Sequence, residues 1–92
     1  MIKNFRHKGL KEFYLSGTKS GILPKHSERL RLILARLDAT IEPEDMKLPG
    51  LRLHKLSGKF KEFFSVEVSG NWRVIYRFKG ENVTDVDYLD YH

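Results

Sequence analysis

Cysteine is absent from the 92 residues, which removes disulfide frameworks, thiol nucleophiles and thiolate-bound zinc or iron and leaves packing alone to hold the core. Long apolar runs are missing as well, far short of the ~20 residues a membrane span needs. The opening Met1-Ile2-Lys3-Asn4-Phe5-Arg6 carries charge where a secretory signal would carry its apolar stretch. The expectation is a soluble cytoplasmic protein that meets no membrane. Acidic residues are the minority, twelve against seventeen Lys and Arg, giving a formal net charge of +5 and a pI near 9.6. That surplus suits a partner carrying phosphates, nucleic acid first, better than an acidic protein or a cationic substrate. With 40% hydrophobic and 32% charged residues, the length fits one small globular domain spanning 1–92.

Hydrophobic spacing orders the chain. Ile2 to Phe5 reads as a brief edge strand or extended arm ahead of the basic cluster Arg6-His7-Lys8. Leu10, Phe13 and Tyr14 fall at i, i+3 and i+4, which predicts a short helix over 8–15 stopped at Ser16-Gly17. Pro24 suits a first helical turn, and Leu30, Ile33, Leu34 and Leu37 recur beyond it at helical spacing. Pro43 and Pro49-Gly50 break the acidic stretch 38–50 into a loop with at most one turn. The period then becomes two. Leu51 and Leu53 open a strand, Phe64, Val66 and Val68 mark a second, and Ser69-Gly70-Asn71 turns into a third. In that third strand Trp72, Val74, Tyr76 and Phe78 share one face while Arg73, Ile75 and Arg77 share the other, and 83–88 forms a fourth. The fold class is α+β: a short N-terminal strand, two helices, then an antiparallel meander whose Trp72 face the helices cover.

Charge is segregated along this plan. Residues 1–36 carry nine basic and two acidic side chains and residues 51–79 seven and two, whereas 80–92 holds four acidic and no basic ones. A whole basic half is the electrostatic pattern of a polyanion binder. Lys25, Arg29 and Arg36, away from the Leu30-Ile33-Leu37 stripe, are its candidates on the second helix.

Three places carry candidate chemistry. Arg73 and Arg77 should project from the open sheet face, where a guanidinium can fork onto a phosphate; pairing with Glu67, Asp85 or Asp87 is the competing use, chiefly for Arg77. His54 should share the surface of Arg52, and an imidazole there can exchange protons near neutrality. The ending Asp87-Tyr88-Leu89-Asp90-Tyr91-His92 collects carboxylates, phenols and an imidazole, suited to base stacking and proton transfer. The four histidines lack the paired spacing of a metal site, and no cofactor is expected.

Taken together, Arg52-Leu53-His54-Lys55-Leu56-Ser57-Gly58, Gly70-Asn71-Trp72-Arg73-Val74 and Asp90-Tyr91-His92 resemble the HigB toxins of the RelE superfamily, as does the Ile-Lys-x-Phe start followed by His7-Lys8-Gly9-Leu10. The likeness runs the full length. It implies a fold like that of small microbial ribonucleases and cleavage of messenger RNA in the ribosomal decoding site, restrained by a helix-turn-helix antitoxin of the HigA type. It also implies catalytic roles for His54, Arg73, Asp90, Tyr91 and His92. The family usually reads Leu-His-Pro-Leu-Lys-Gly in its middle motif; here Lys55 stands at the proline and Ser57 at the lysine. Lys55 or Lys59 is then expected to supply the missing cation near the scissile phosphate, or cleavage is weaker.

Overall fold

The computed structural model describes residues 1–91. Helix α1 spans Lys8–Ser16 and begins where the His7 ring Nδ1 accepts the Leu10 amide proton at 2.9 Å, a side chain standing in for the missing intrahelical acceptor. It ends at Gly17, whose φ of 82° lets its amide turn back onto the Phe13 carbonyl. A 3-10 turn, Pro24–His26, leads into α2, Ser27–Ala39, which buries Leu30, Ile33, Leu34 and Leu37 as their spacing requires. A second 3-10 turn, Pro43–Met46, is the single turn expected in the acidic loop.

Four strands follow, β1 (His54–Lys55), β2 (Phe64–Ser69), β3 (Trp72–Lys79) and β4 (Asn82–Asp90), joined in that order as an antiparallel meander. The N-terminal arm lies parallel along β4 through single bridges at Ile2–Val83 and Phe5–Val86, so the expected edge strand is present in minimal form. The strand expected from Leu51 shrinks to two residues. Arg52 takes a φ of 50°, and this left-handed step breaks the extended run, although the Leu51 carbonyl still receives the Glu67 amide at 2.7 Å.

One face of the sheet meets both helices. Val66, Val74, Tyr76, Val86 and Tyr88 join Leu10, Phe13, Leu30, Ile33 and Leu37 in one core, with Trp72 and Phe78 packed at its margin. Arg73, Ile75 and Arg77 occupy the opposite, outer face as the alternation required, but Ile75 is fully buried there. On this same side the Phe63 ring lies under the outward-facing Arg77 guanidinium, 5.4 Å from centroid to carbon, and is itself buried. The outer face thus has an aromatic cover of its own rather than bare pleat.

Candidate functional site

Register decides which candidate residues share the outer face. His54 pairs with Ser65, Ser65 with Ile75, and Ile75 with Asp87, so these side chains form one rung pointing away from the helices. The next outward rung is Glu67, Arg73 and Leu89. His54 and Arg73 are therefore on the same side, separated by two strand spacings, roughly 10 Å, and two residues, about 7 Å. Extended imidazole and guanidinium groups can approach one phosphate from these positions.

Among the described residues the Arg73 guanidinium is held by carbonyls, not by a carboxylate. Its Nη1 donates to Gly70 at 2.6 Å and to Trp72 at 3.1 Å, which orients the group on the β2–β3 turn without cancelling its charge. Glu67, directly across the rung, turns to Arg52 at 3.5 Å instead. Arg77 follows the competing use: its Nε donates to Asp85 at 2.6 Å, so most of its charge is answered. Tyr91 lies just past β4, tied to the same turn by its amide bond to the Asn71 carbonyl at 2.8 Å, with its ring 6.1 Å from that of Phe60.

Other candidates lie elsewhere. Asp90 pairs with Trp72, which register places on the helix-side face, not on the Arg73 side. Lys55 is likewise displaced from the His54 surface: it pairs with Phe64 on the helix side, its Nζ 5.8 Å from that ring, because adjacent strand residues point to opposite faces. Lys59 lies in the 3-10 turn Gly58–Phe60 ahead of β2, its Nζ 5.3 Å from the Phe60 ring. His92 lies outside the described residues. Lys25, in the 3-10 turn ahead of α2 rather than on the helix, and Arg36 on α2 are exposed, but Arg29 is not a free cation: it donates to the Gly50 carbonyl and, at 3.3 Å, to the Glu67 carbonyl, because its turn of α2 faces the start of the sheet.

The remaining histidines have structural settings. His7 caps α1. His26 is buried, and desolvation followed by the nearby Lys25 charge pushes its pKa below the ordinary histidine value. Burial raises Tyr88, the partner of His26, with the Leu23 amide opposing the shift. Sequence reasoning gave no site role to Arg6, Phe60 or Phe63; Lys59-Phe60-Lys61, a ring between two cations just ahead of the second strand, held part of the signal. Among the described residues no cluster of three His, Asp or Glu could hold a metal ion.

Comparison with known proteins bears on the whole chain. It is 33% identical over 92 residues to Endoribonuclease HigB of Proteus vulgaris, with both chains covered in full. It is 31% identical over 94 residues to Toxin HigB-1 of Vibrio cholerae serotype O1, covering all of this chain and 98% of that one. Two solved structures share the fold. A mutant of YafQ from E. coli superposes with a TM-score of 0.63 at 15% identity, covering 98% of this chain and 93% of the other. A copper-bound mutant toxin from Helicobacter pylori gives 0.56 at 19% identity, with 98% and 94% covered. Residues 3–92 match the family model for the RelE-like toxin HigB of type II toxin-antitoxin systems. The chain belongs to this family of HigB-like toxins.

Proposed function

We propose that this protein is an endoribonuclease that cuts messenger RNA in the ribosomal decoding site of the cytoplasm, and that a helix-turn-helix antitoxin restrains it. The observation that carries the reading is Arg73: an outward guanidinium that, among the described residues, donates to neutral carbonyls, on the face that also presents His54. In the proposed reaction a ribose 2′-oxygen attacks the adjacent phosphorus. The 2′-O–P bond forms, the P–5′-O bond breaks, and the products are a cyclic phosphate and a 5′-hydroxyl. One imidazole takes the 2′-hydroxyl proton and the other protonates the leaving oxygen; His54 and His92 fill these roles. Arg73 meets the added negative charge on phosphorus, where a fixed donor contributes most. Tyr91 stacks on or hydrogen-bonds the substrate, and Asp90, on the helix side of β4 and so away from His54, has His92 as the imidazole it orients.

The cation that the family's lysine would supply at position 57 comes from Lys59, a reading supported by its ammonium lying beside Phe60, whose ring meets that of Tyr91, while Lys55 lies against Phe64 on the helix side. A domain this small offers part of a site, and the ribosome holds the message open so that orientation comes from outside. Lys25 and Arg36 are the residues placed to dock α2 on ribosomal RNA, in contacts that weaken as salt rises.

Mapping 5′ ends in a translating extract tests the reading. New 5′-hydroxyl ends within codons are expected with the wild-type protein and not with Arg73→Ala. Translation arrest without cleaved ends would instead identify a non-cleaving binder of RNA or ribosome.

A further inference from the structure

We propose that the outer face carries a track for single-stranded RNA running from Tyr91 over Phe60 to Arg6, next to the cleavage site and made of side chains that take no part in bond breaking. The proposal rests on the nuclease reading above and extends it to how the flanking nucleotides are held.

The side chains form a continuous chain of rings and cations. The Tyr91 and Phe60 rings meet edge to face at 6.1 Å, and Phe60 meets Phe63 in the same manner at 5.7 Å. Two guanidiniums then lie over Phe63, Arg6 at 5.0 Å and Arg77 at 5.4 Å. Burial divides the labour. Phe63 is only 4% exposed, so it is the platform on which the arginines rest, whereas the exposed Tyr91 and half-buried Phe60 retain ring surface for bases. The two arginines differ as well. Asp85 answers the charge of Arg77, but no carboxylate pairs with Arg6 among the described residues, so Arg6 is the cation left for a phosphate.

The position of Arg6 is built. Its amide donates to the Val86 carbonyl at 2.8 Å, fixing the arm against β4. Asp85 adopts a φ of 54°, uncommon for a residue with a side chain, and from there its carboxylate takes Arg77 while its amide donates to the Asn4 side chain at 2.5 Å. One strained residue thereby holds both the arm that bears Arg6 and the second cation on the Phe63 platform. Rings interleaved with cations fit single-stranded RNA, since every base presents a face for stacking between phosphates. An acidic peptide would use Arg6 and leave Phe60 and Tyr91 idle.

Fluorescence anisotropy with a 2′-O-methyl RNA of about six nucleotides tests the track without cleavage, because the attacking hydroxyl is gone. Phe60→Leu keeps apolar bulk against Phe63 but removes the stacking ring, and Arg6→Gln keeps the arm while removing the charge. Each is expected to weaken binding roughly ten-fold with an unchanged thermal midpoint. Arg6→Gln should also reduce the slope of log affinity against log salt by about 0.7, the share of one phosphate on a single strand, and Phe60→Leu should leave that slope alone. No binding by the wild type, wild-type affinity in both variants, or displacement of the RNA by polyglutamate at equal charge overturns the track. Binding that depends on Phe60 and Arg6 in a protein that cleaves nothing would remove the nuclease reading and keep the track. Cleavage that depends on Arg73 with both variants fully active would do the opposite.

Discussion

The Nδ1 atom of His26 lies 2.5 Å from the Tyr88 hydroxyl, and this buried bond joins the start of α2 to β4 near the end that carries Tyr91. The other ring nitrogen, Nε2, is buried without a partner among the described residues, and the ring is flanked by the Trp72 and Tyr88 side chains, with Lys25 adding repulsion to any proton gained. The folded protein therefore favours the neutral ring, and its pKa lies below the ordinary 6.5. As pH falls through 6.5 the unfolded chain takes the proton first, so stability present at neutral pH is lost from there down to the folded-state value and levels off below it. Thermal midpoints measured from about pH 8 to about pH 5 should fall more steeply for the wild type than for His26→Gln, which can keep a hydrogen bond but does not titrate. Parallel curves would show that another group governs acid sensitivity.

His54 and the two nearby lysines separate the chemistry from the fold. His54→Ala should lower the cleavage rate about 10²- to 10⁴-fold, the range for one positioned proton carrier, with little change in affinity for the message. Lys59→Ala should lower it about 10²-fold, the scale for one charge-stabilising donor. Lys55→Ala should leave it near wild type, because its ammonium lies over Phe64 on the helix side. Rate constants on programmed ribosomes check all three, and a large loss in Lys55→Ala alone would return the cation to position 55.

Arg29 is predicted to act on stability rather than on RNA. Its guanidinium ties α2 to the Gly50 and Glu67 carbonyls, which lie beside the entry to β1 and within β2. Arg29→Ala should cost about 1–3 kcal/mol, since two carbonyls lose a charged donor. A Lys25→Gln, Arg36→Gln double variant should keep its midpoint, because both side chains are exposed, yet show a weaker salt dependence of ribosome binding. Chemical denaturation of both proteins, alongside ribosome pelleting at several salt concentrations, tells the two behaviours apart.

Gly9 and Gly21 pack backbone to backbone where α1 meets the loop that leads to α2. A Cβ on Gly9 would stand 2.2 Å from the Gly21 carbonyl oxygen, a collision with main chain that no rotamer can relieve. Gly9→Ala should therefore destabilise the protein by about 1–3 kcal/mol despite the better helix propensity of alanine. Gly9→Ala with a thermal midpoint equal to or above that of the wild type would contradict this packing.

Much of the molecule was legible from local pattern. The α2 stripe, the alternation along β3 and the outward aim of Arg73 depend on helical and strand periods, which a few neighbouring residues establish wherever an element forms. The motif around His54, with Arg73 and the final residues, likewise announced the family. Tertiary structure alone decided the rest. A single left-handed residue, Arg52, shortened β1 to two positions, pairing set Lys55 beside Phe64, register put Asp90 beside Trp72, and Arg29 met carbonyls 21 and 38 residues away. The seating of Phe63 beneath Arg6 and Arg77 belongs with these, because it depends on where the segment ahead of β2 meets the sheet and the N-terminal arm. Period is a property of adjacent residues, whereas a partner across the fold depends on how every intervening turn is made.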